Sequence, residues 1–379
     1  MFSSSQFIEE CVSGKYPPKI GYNISNEVPT YVIDLDLPAT ERWNQLGKDK
    51  GKEMENLLMT FKSLLLDFSN SSQVVIDLID NDLGFLVSSM PQPFQDEMRG
   101  LSKSSELPLG MFYFLTGEVL LYNIFYEAFT VCTSIVAQDA NGQLFHGRNL
   151  DFGLFLGWDT KLHAWKVTTA LKPMIVNLDF QKAGKTIFKT VNFAGYIGAL
   201  TGFKPGVFSL TMNERFNIDG GYIGIFKWLF GDRKSKWMSF LTRSTLENAG
   251  SYAEAKQALA DTPMLAPAYF ILGGNSSGQA CIITRARDKA VDVWNVGERN
   301  HTWYLLQTNY DNWKKPLFID DRRTPGNKCM QKLTQQVKYP SPLLPYCLSN
   351  TRSVPRQRLR ACQFHIDYTP TPQTPPQNC

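Results

Sequence analysis

The sequence predicts an α+β fold with a largely antiparallel sheet. Apolar residues recur at helical spacing in the first 131 residues, whereas residues 132–339 alternate short β-prone runs with helices. Helices followed by layers of strands with helices between them are typical of this class. Eight of the chain's 21 prolines lie in residues 340–379, where little apolar periodicity remains, so we expect an extended or disordered tail.

Three helices are expected before residue 132. The spacing of apolar residues predicts a helix over Asn44–Phe68, a second after Pro93 and a third over residues 111–129. Later in the chain, Ser251 and Glu254 form a capping box, which marks the start of another helix. The first 131 residues are therefore expected to be mostly helical.

The change to β structure begins with a hairpin. Two β-prone runs, 133–138 and 143–147, flank Asn141 and Gly142, and Asn-Gly is a strong hairpin signal. Further strands are expected near Trp165–Thr169, Ile175–Phe180, Thr186–Phe193, Val207–Thr211, Ala268–Leu272, Ala280–Thr284, Val291–Trp294 and Trp303–Thr308.

Composition excludes several classes of function. The 379 residues carry a net charge of only +4, so nucleic-acid binding is not expected. The most apolar stretch, 111–137, is interrupted by Glu118 and Glu127, so no membrane-spanning helix is expected. The seven cysteines contain no C-x-x-C pair and only four histidines accompany them, so we expect no zinc site and no cofactor.

The sequence carries signs of the secretory pathway. Four N-x-S/T sequons, at Asn23, Asn70, Asn275 and Asn300, favour a glycosylated lumenal chain. An odd number of cysteines would leave one thiol unpaired in such a protein. The first residues show neither the basic nor the apolar region of a signal peptide, so we expect either a mature chain or a missing start.

The residues with the clearest chemical potential lie on the predicted hairpin. Cys132 opens its first strand, and the returning strand carries Arg148 and Asp151. Adjacent strands lie about 4.8 Å apart, so the end of the second strand can lie beside Cys132. These side chains offer a thiol, a cation that favours thiolate or a developing oxyanion, and a carboxylate that can orient an amine or the arginine. The residues alone leave open whether Cys132 is a nucleophile or a buried core residue.

Several motifs favour the nucleophile. Cys132-Thr-Ser-Ile-Val-Ala, His146-Gly-Arg-Asn-Leu-Asp and Thr308-Asn-Tyr-Asp resemble motifs of the acid ceramidase and N-acylethanolamine acid amidase group of N-terminal nucleophile hydrolases. Further matches to the ceramidase branch, such as Asp320-Asp-Arg-Arg-Thr-Pro325, run through most of the chain. The resemblance implies an αββα sandwich, a lysosomal location and hydrolysis of the ceramide amide to sphingosine and a fatty acid.

The resemblance also implies a maturation step. The precursor would cut itself between Val131 and Cys132, giving a helical α-subunit (1–131) and a catalytic β-subunit (132–339) that remain a heterodimer. An internal cysteine has an amide nitrogen, which cannot act as a base. A new terminus supplies an α-amine of reference pKa about 8 beside a thiol of about 8.5, so one group can deprotonate the other without a histidine.

The resemblance assigns site roles one residue at a time. Cys132 matches the nucleophile, and its own amine matches the base. Arg148 and Asp151 match the neighbouring pair; we expect Asp151 to hold the amine and Arg148 to lie over the substrate amide. Glu214 matches a site acid expected to pair with an arginine. Asn309 matches the oxyanion-hole donor.

Five further residues are given an expected role. Arg322 matches the last site cation, whereas its neighbour Arg323 is expected to be structural. Cys11 and Cys329 match the cysteines that bridge the two subunits in the family. Cys281, on a predicted strand, is expected to be a buried thiol.

Three alternatives stay open. Gly274-Asn-Ser-Ser-Gly278 fits the G-x-S-x-G elbow of serine hydrolases, but a strand instead of a helix is expected after it, which favours a hairpin turn. The resemblance fades after Cys329, which allows an inactive lipid-binding isoform. Within the enzyme class, an amidase that prefers N-acylethanolamines would share the same reaction core.

Segment 226–237 is a candidate membrane contact. It mixes large apolar residues with four cations, as interfacial segments do. It could bind the anionic lysosomal membrane surface, or it could be a core helix with a solvated basic end. The family's dependence on a sphingolipid activator protein, a saposin, would fit such a surface.

Overall fold

The structure, a computed structural model, describes residues 28–68, 87–105, 131–151, 158–159, 164–215, 224, 227–228, 230–231, 233–299, 302–333, 335 and 362–366. Its helices are α1 (Asn44–Phe68), α2 (Phe94–Ser104), α3 (Lys166–Leu171), α4 (Met238–Asn248), α5 (Tyr252–Asp261) and α6 (Arg323–Leu333). Its strands are β1 (Thr30–Asp34), β2 (Val131–Gln138), β3 (Leu144–Asp151), β4 (Trp158–Asp159), β5 (Ala164–Trp165), β6 (Ile175–Lys182), β7 (Lys185–Phe193), β8 (Thr201–Lys204), β9 (Phe208–Glu214), β10 (Ala268–Gly274), β11 (Ala280–Arg285), β12 (Ala290–Asn295), β13 (Tyr304–Gln307) and β14 (Cys362–Ile366).

The strands form two main sheets. The larger has the order β1-β6-β7-β8-β9-β10-β11-β12, and its neighbouring pairs are antiparallel except β1 and β6, which run parallel. The smaller has the order β13-β2-β3-β14, with every pair antiparallel. Strands β4 and β5 form a separate two-residue pair. The largely antiparallel character predicted from the sequence is confirmed.

The two sheets pack face to face, with helices on both outer surfaces. A buried apolar cluster from β2, β3, β10, β11 and β13 fills the space between the sheets. Helices α1, α2, α4 and α5 share a second cluster with the larger sheet, and α6 shares a third with the smaller one. This helix–sheet–sheet–helix order is the αββα sandwich that the resemblance implies, so that expectation is confirmed.

Side chains alternate along β2, so every second one faces the larger sheet. Val136 belongs to the cluster between the sheets, whereas Ile135 belongs to the cluster beneath α6. Cys132 is an even number of residues from Val136 and therefore points between the sheets. On β3, Arg148 lies across from Ser134 and shares that side. The thiol and the guanidinium are thus brought together in the interior.

Many elements have the form that the sequence predicts. Helix α1 begins and ends as expected, and α2 begins directly after Pro93 as expected. The first hairpin turns at Gly142, whose φ is +86°. Asp139 Oδ1 accepts the N–H of Gln143 at 2.9 Å within that turn. The Ser251 hydroxyl accepts the Glu254 N–H at 3.2 Å at the start of α5, which confirms the capping box.

The strand predicted over Trp165–Thr169 is wrong beyond its first residue. Only Ala164–Trp165 is extended, and the chain then enters α3. Leu171, at the end of α3, and Met174, in the following turn, are buried in the main core. Burial of these two side chains therefore outweighs the β propensity of the Val-Thr-Thr run between them and Trp165.

The N-terminal region also contributes a strand that the sequence analysis did not predict. Strand β1 lies at the edge of the larger sheet beside β6, and its Ile33 is buried in the main core. Strand β8 was missed as well. The segment before residue 132 is therefore built into the main sheet, in addition to carrying α1 and α2.

Five residues of the tail, which was expected to be extended or disordered, form a strand. Strand β14 pairs antiparallel with β3, with Cys362 opposite Leu150. Phe364 and Ile366 alternate with polar residues, which suits a strand, but the run is too short to stand out from its proline-rich surroundings. The rest of the tail and the helix predicted over 111–129 lie outside the described residues. In the part of the chain that is described, no helix has the length and apolar character needed to cross a bilayer.

Candidate active site

Cys132 lies at the start of β2 with its side chain fully buried. Arg148 Nη2, from the neighbouring β3, is 2.7 Å from Cys132 Sγ. Arg148 Nη1 donates to the Leu200 carbonyl at 2.9 Å and to the Thr201 hydroxyl at 2.7 Å, where β8 begins. The guanidinium is therefore held between the two sheets and directed at the sulfur. A cation in this position favours the thiolate form of Cys132.

The main chain of Cys132 is held by two other residues. Its N–H donates to Asn309 Oδ1 at 2.8 Å, and its carbonyl accepts from Arg322 Nη1. Arg322 also donates to Asn309 Oδ1 at 2.8 Å and to the Thr133 hydroxyl at 3.1 Å. Asn309 and Arg322 thus position the backbone beside the bond between Val131 and Cys132, which the resemblance predicts to be cut.

Asp320 orients Arg322. Its carboxylate accepts from Arg322 Nε at 2.8 Å and from Nη2 at 2.9 Å, a two-bond geometry between two buried side chains. Burial and a hydrogen bond to Asp320 raise the pKa of Tyr310 to about 12. No role is predicted for Asp320 from the sequence, because the motif does not show which of two adjacent aspartates, Asp320 or Asp321, faces the site.

Glu214 and Asp151 are placed at the ends of strands. Glu214 ends β9, and its carbonyl accepts a 2.7 Å hydrogen bond from Asn309 Nδ2, the nitrogen expected to serve an oxyanion. Asp151 ends β3 directly opposite Val131, and its side chain lies outside the described part. Five of the six predicted residues are thus linked by hydrogen bonds. The pairing of Glu214 with an arginine, the contact of Asp151 with the amine and the role of every residue stay predictions.

A buried ion pair that the sequence analysis missed joins the same two segments. Arg215, next to Glu214, donates from Nε at 2.6 Å and from Nη2 at 2.9 Å to Asp311, two residues after Asn309. The Tyr269 hydroxyl donates to the same carboxylate at 2.7 Å. Although burial alone would raise it, these bonds hold the pKa of Asp311 below its usual value. Both charged residues lie inside motifs that match the family, Asn213-Glu-Arg-Phe216 and Thr308-Asn-Tyr-Asp311, but neither motif shows that the two side chains pair.

His146 belongs to a polar layer inside the sandwich. Its Nδ1 lies 2.9 Å from the Ser209 hydroxyl and its Nε2 lies 3.0 Å from the Thr211 hydroxyl. Burial, followed by the nearby Arg148 cation, lowers the pKa of His146 to about 3. The ring is therefore neutral over most of the pH range, and its two hydroxyl partners indicate a structural role.

Two cysteines outside the site have a described side chain, and one is a buried thiol whereas the other is in a disulfide. Cys281 is free and buried, as predicted, and burial raises the pKa of its thiol. Cys329 is disulfide-bonded. Cys11 lies outside the described residues, so its pairing with Cys329 stays a prediction.

The G-x-S-x-G segment is a hairpin turn. It joins the antiparallel strands β10 and β11, so the helix that a nucleophile elbow requires is replaced by a strand. Asn275 lies exposed in this turn; the other sequons, at Asn23, Asn70 and Asn300, lie outside the described residues, and occupancy of all four stays a prediction. Among the described residues no three His, Cys, Asp or Glu side chains lie together as metal ligands.

An αββα sandwich with a cysteine at the start of a central strand is the fold of the N-terminal nucleophile hydrolases. The profile of linear amide C–N hydrolases, choloylglycine hydrolase family, matches residues 132–335. That of the beta subunit of N-acylethanolamine-hydrolyzing acid amidase matches residues 26–90. Acid ceramidase from Homo sapiens is 48% identical over 328 residues, which cover 86% of this chain and 81% of that protein. The chain belongs to the acid ceramidase family.

Two further relatives agree with this assignment. Acid ceramidase from Rattus norvegicus is 49% identical over 328 residues, with 86% of this chain and 81% of the rat protein covered. The solved structure of the Caenorhabditis elegans N-acylethanolamine-hydrolyzing acid amidase ortholog is 32% identical, with a TM-score of 0.51 over 64% of this chain and 94% of that one.

Proposed function

We propose that this protein hydrolyses the amide bond of ceramide to sphingosine and a fatty acid, with Cys132 as its nucleophile. One observation carries the proposal: Arg148 Nη2 is 2.7 Å from Cys132 Sγ, and both side chains are fully buried. A neighbouring cation lowers the pKa of a thiol and so favours its nucleophilic form. The 48% identity to human acid ceramidase supports ceramide as the substrate.

The chain is, in this proposal, a precursor that cuts itself. The Cys132 sulfur attacks the Val131 carbonyl carbon, the C–N bond breaks, and the proton passes to the Cys132 nitrogen. Water then hydrolyses the thioester. The products are an α-subunit (1–131) and a chain starting at Cys132, with its catalytic part over 132–339 and the tail over 340–379. The hydrogen bonds of Asn309 and Arg322 to the Cys132 backbone support this, because they restrict the peptide beside the thiol.

Lipid hydrolysis uses the same thiol with its new neighbour, the α-amine. The amine takes the thiol proton, and the thiolate attacks the amide carbonyl carbon of the lipid. The C–N bond breaks, and the amine returns the proton to the leaving sphingosine nitrogen. Water hydrolyses the acyl thioester, which releases the fatty acid and restores the thiol.

The remaining residues orient and stabilise the reacting groups. Asn309 holds the amine through Oδ1, and its N–H stabilises the oxyanion, an interaction that contributes a factor of about 100 to 1,000 to turnover in comparable sites. Asp151, which pairs with Val131 across β2 and β3, holds the amine. Arg322 is the last site cation, and Glu214 supports Asn309 through its carbonyl.

The test is to replace the proposed nucleophile and follow both reactions. Wild-type protein should give two bands on a reducing gel, and the C-terminal fragment should begin at Cys132. Cys132→Ala should lose both cleavage and ceramide hydrolysis, whereas Cys132→Ser should keep traces because a hydroxyl is the poorer nucleophile. Cys281→Ala is the matched control, since it removes a buried thiol elsewhere. Full turnover by an uncut chain would contradict the proposal.

A second candidate is an amidase that prefers N-acylethanolamines. The likeness to the Caenorhabditis elegans N-acylethanolamine-hydrolyzing acid amidase ortholog supports it. Hydrolysis of ceramide and of an N-acylethanolamine should be measured side by side, and a clear preference for the ethanolamide would select this candidate.

The alternative of an inactive lipid-binding isoform loses part of its basis. It rested on a tail that fails to complete the sheet, yet β14 supplies an edge strand to β3. A single full-length band in an acidified lysosomal extract would favour the inactive form.

The proposed location is the lysosome, where a saposin and the anionic membrane surface are the proposed partners. In segment 226–237, Trp228 and Trp237 are buried and pack edge to face, whereas Phe230 is 88% exposed. A cavity of about 590 Å³ is lined by these tryptophans and by Arg233, Lys234 and Lys236. Replacing both lysines with Glu should weaken binding to anionic vesicles, and unchanged binding would dismiss this contact.

A further inference from the structure

One face of strand β9 is polar although it is buried. Three apolar side chains of β9 join the main core, and the three that alternate with them are polar and also buried: Ser209, Thr211 and Asn213. This polar face is turned toward the smaller sheet, because Thr211 contacts His146 of β3 and donates to the Ser134 hydroxyl of β2. Burying polar groups is costly unless they are hydrogen-bonded, so their partners show what they hold in place.

Asn213 links this polar face to the candidate active site. Its Oδ1 accepts from the Ser134 hydroxyl at 2.9 Å, and its Nδ2 donates to the Gln307 carbonyl at 3.0 Å and to the Thr308 carbonyl at 3.4 Å. Because a carbonyl can only accept, these partners fix which way the amide points. Thr308 directly precedes Asn309 in the chain. The Asn213 amide therefore holds the main chain beside the residue expected to serve the oxyanion.

Asn309 makes the reciprocal contact. Its Nδ2 donates at 2.7 Å to the carbonyl of Glu214, the residue that follows Asn213. Each asparagine thus donates to the main chain beside the other, and we call this pair the asparagine clasp. An amide nitrogen carries two hydrogens, so the bond to Glu214 fixes the direction of the second one.

The chain after Asn309 is held by a different side chain. Arg323 donates to four main-chain carbonyls, as expected of a structural arginine: those of Tyr310, Asp311, Asn312 and Lys314. The Asp311 side chain is in turn bonded to Arg215 and Tyr269. Asn309 therefore lies between two fixed stretches of main chain, and Asn213 holds the one before it.

We infer that Asn213 is a positioning residue, which directs the Asn309 amide at the oxygen that becomes negative in the reaction. This inference deepens the proposed function and rests on it for the identity of the reaction. A donor stabilises an oxyanion only when it is aimed at the place that the oxygen occupies in the transition state. A misplacement of about 1 Å costs about 100-fold in rate. Asn213 acts through Asn309 and does not itself contact the reacting atoms.

The first test separates turnover from substrate binding. Self-cleaved wild-type protein and Asn213→Ala are compared in kcat and KM for ceramide. The kcat should fall by about 10- to 100-fold, because the donor is misplaced, whereas KM should stay within about two-fold, because the oxyanion forms only in the transition state. A change in KM with an unchanged kcat would overturn the inference.

A pair of matched ligands provides a second readout that needs no turnover. The Cys132 sulfur adds to the carbonyl carbon of decanal, the C=O double bond becomes a single bond, and the thiol proton passes to the oxygen. That oxygen then occupies the oxyanion position, whereas decanol has the same alkyl chain and forms no adduct. Both affinities are measured by how far the ligand slows alkylation of Cys132 by iodoacetamide. Asn213→Ala should weaken decanal about ten-fold and leave decanol within about two-fold. Equal losses for the two ligands would indicate a general structural defect and overturn the inference.

Two further variants control for the loss of a buried polar group. Ser209→Ala is the matched control, because Ser209 lies on the same face of β9 and contacts His146 Nδ1 instead of the chain beside Asn309. Its kcat and its decanal affinity should stay within about two-fold of wild type. Ser134→Ala removes only the contact to Asn213 Oδ1 and should give a smaller loss of decanal affinity than Asn213→Ala. It decides the question if Asn213→Ala does not fold.

A double variant shows whether Asn213 acts through Asn309. In an Asn309→Ala background, adding Asn213→Ala should change decanal affinity by less than about three-fold, because the donor that Asn213 directs is already gone. A full additional loss would show that the two residues act independently and would overturn the inference. Protection by decanal requires no lipid hydrolysis. A wild-type protein that binds decanal at Cys132 but fails to hydrolyse ceramide would therefore count against the proposed function alone.

Discussion

Arg148 and Arg243 are both fully buried, yet their surroundings are opposite in kind. Arg243, on α4, donates two hydrogen bonds to Glu97 of α2, and its guanidinium lies over the rings of Trp43, Phe94 and Phe180. In the described part of the structure, Arg148 contacts a thiol, a carbonyl and a hydroxyl instead of a carboxylate.

The difference indicates that the Arg243 charge holds the fold together, whereas the Arg148 charge serves the reaction. Glu97 also accepts from Arg42 and from the Trp43 indole, so it ties the segment before residue 131 to α4 after it. A buried charge without an ionic partner is costly, and a protein keeps one where the charge has another use. Arg148 has its positive charge directed at the Cys132 sulfur, where a thiolate would supply the missing partner.

The largest expected effect is a loss of stability when Arg243, the arginine paired with Glu97, is replaced. Arg243→Met leaves the Glu97 carboxylate buried with less compensation, and losing one member of a buried pair lowers the free energy of unfolding by about 3–5 kcal/mol. Urea unfolding of the full chain measures it. Turnover per folded molecule should be unchanged. The double variant with Glu97→Gln should recover part of the loss; a further additive loss would show that the two residues are not coupled.

The reverse outcome is expected for Arg148→Met. Turnover should fall by about 100- to 1,000-fold, the usual effect of removing a group aimed at developing charge. The free energy of unfolding should stay level or rise, because no carboxylate among the described residues bonds to the buried Arg148 charge that is removed. The pH dependence of Cys132 alkylation by iodoacetamide should show a higher thiol pKa. Arg148→Lys keeps the cation and should recover part of the activity; an unchanged thiol pKa in Arg148→Met would reject the role assigned to the charge.

An intermediate case sharpens the comparison. Arg322 has a carboxylate partner in Asp320 and also contacts the Cys132 carbonyl, so it combines both environments. Asp320→Asn keeps the shape but weakens a charged hydrogen bond, which should reduce cleavage and turnover about ten-fold. Asp321→Asn is the matched control, because Asp321 accepts from the Thr324 N–H at the start of α6 instead. Equal losses in both variants would indicate a general effect on this loop.

The contrast between the two arginines also shows what the sequence can and cannot predict. Local signals found Cys132 and Arg148 on paired strands, since the Asn-Gly turn sets the hairpin and the motif resemblance selects the residues. The environment of Arg243 depends on Glu97, 146 positions away, and no periodicity or turn rule joins residues across that distance.

The same limit explains the parts of the site that were missed. The Asp311–Arg215 pair is made by segments 96 residues apart, and no local pattern in the sequence shows that the two side chains meet. Strand β1 was missed because its partner, β6, lies on the other side of the first hairpin. Local pattern predicts an element, and motifs predict the nucleophile and its neighbouring cations. The buried carboxylates that hold Arg322 and Arg215, Asp320 and Asp311, become visible only in the folded structure.

The smallest expected effect uses His146 to detect the Arg148 charge. Burial and the Arg148 cation lower the pKa of His146 from 6.5 to about 3 in the folded protein. The unfolded chain takes up a proton below about pH 6.5 while the folded protein does not, so stability is full above pH 6.5 and is lost between about 6.5 and 3, by up to about 1.4 kcal/mol per pH unit. His146→Gln should reduce that slope in urea unfolding. Arg148→Met should raise the pKa of His146 in the folded protein, so the pH range over which stability is lost should end above pH 3. Arg243→Met should leave this pH range unchanged, because the Arg243 charge is neutralised by Glu97. Equal pH ranges in the two arginine variants would contradict the contrast between them.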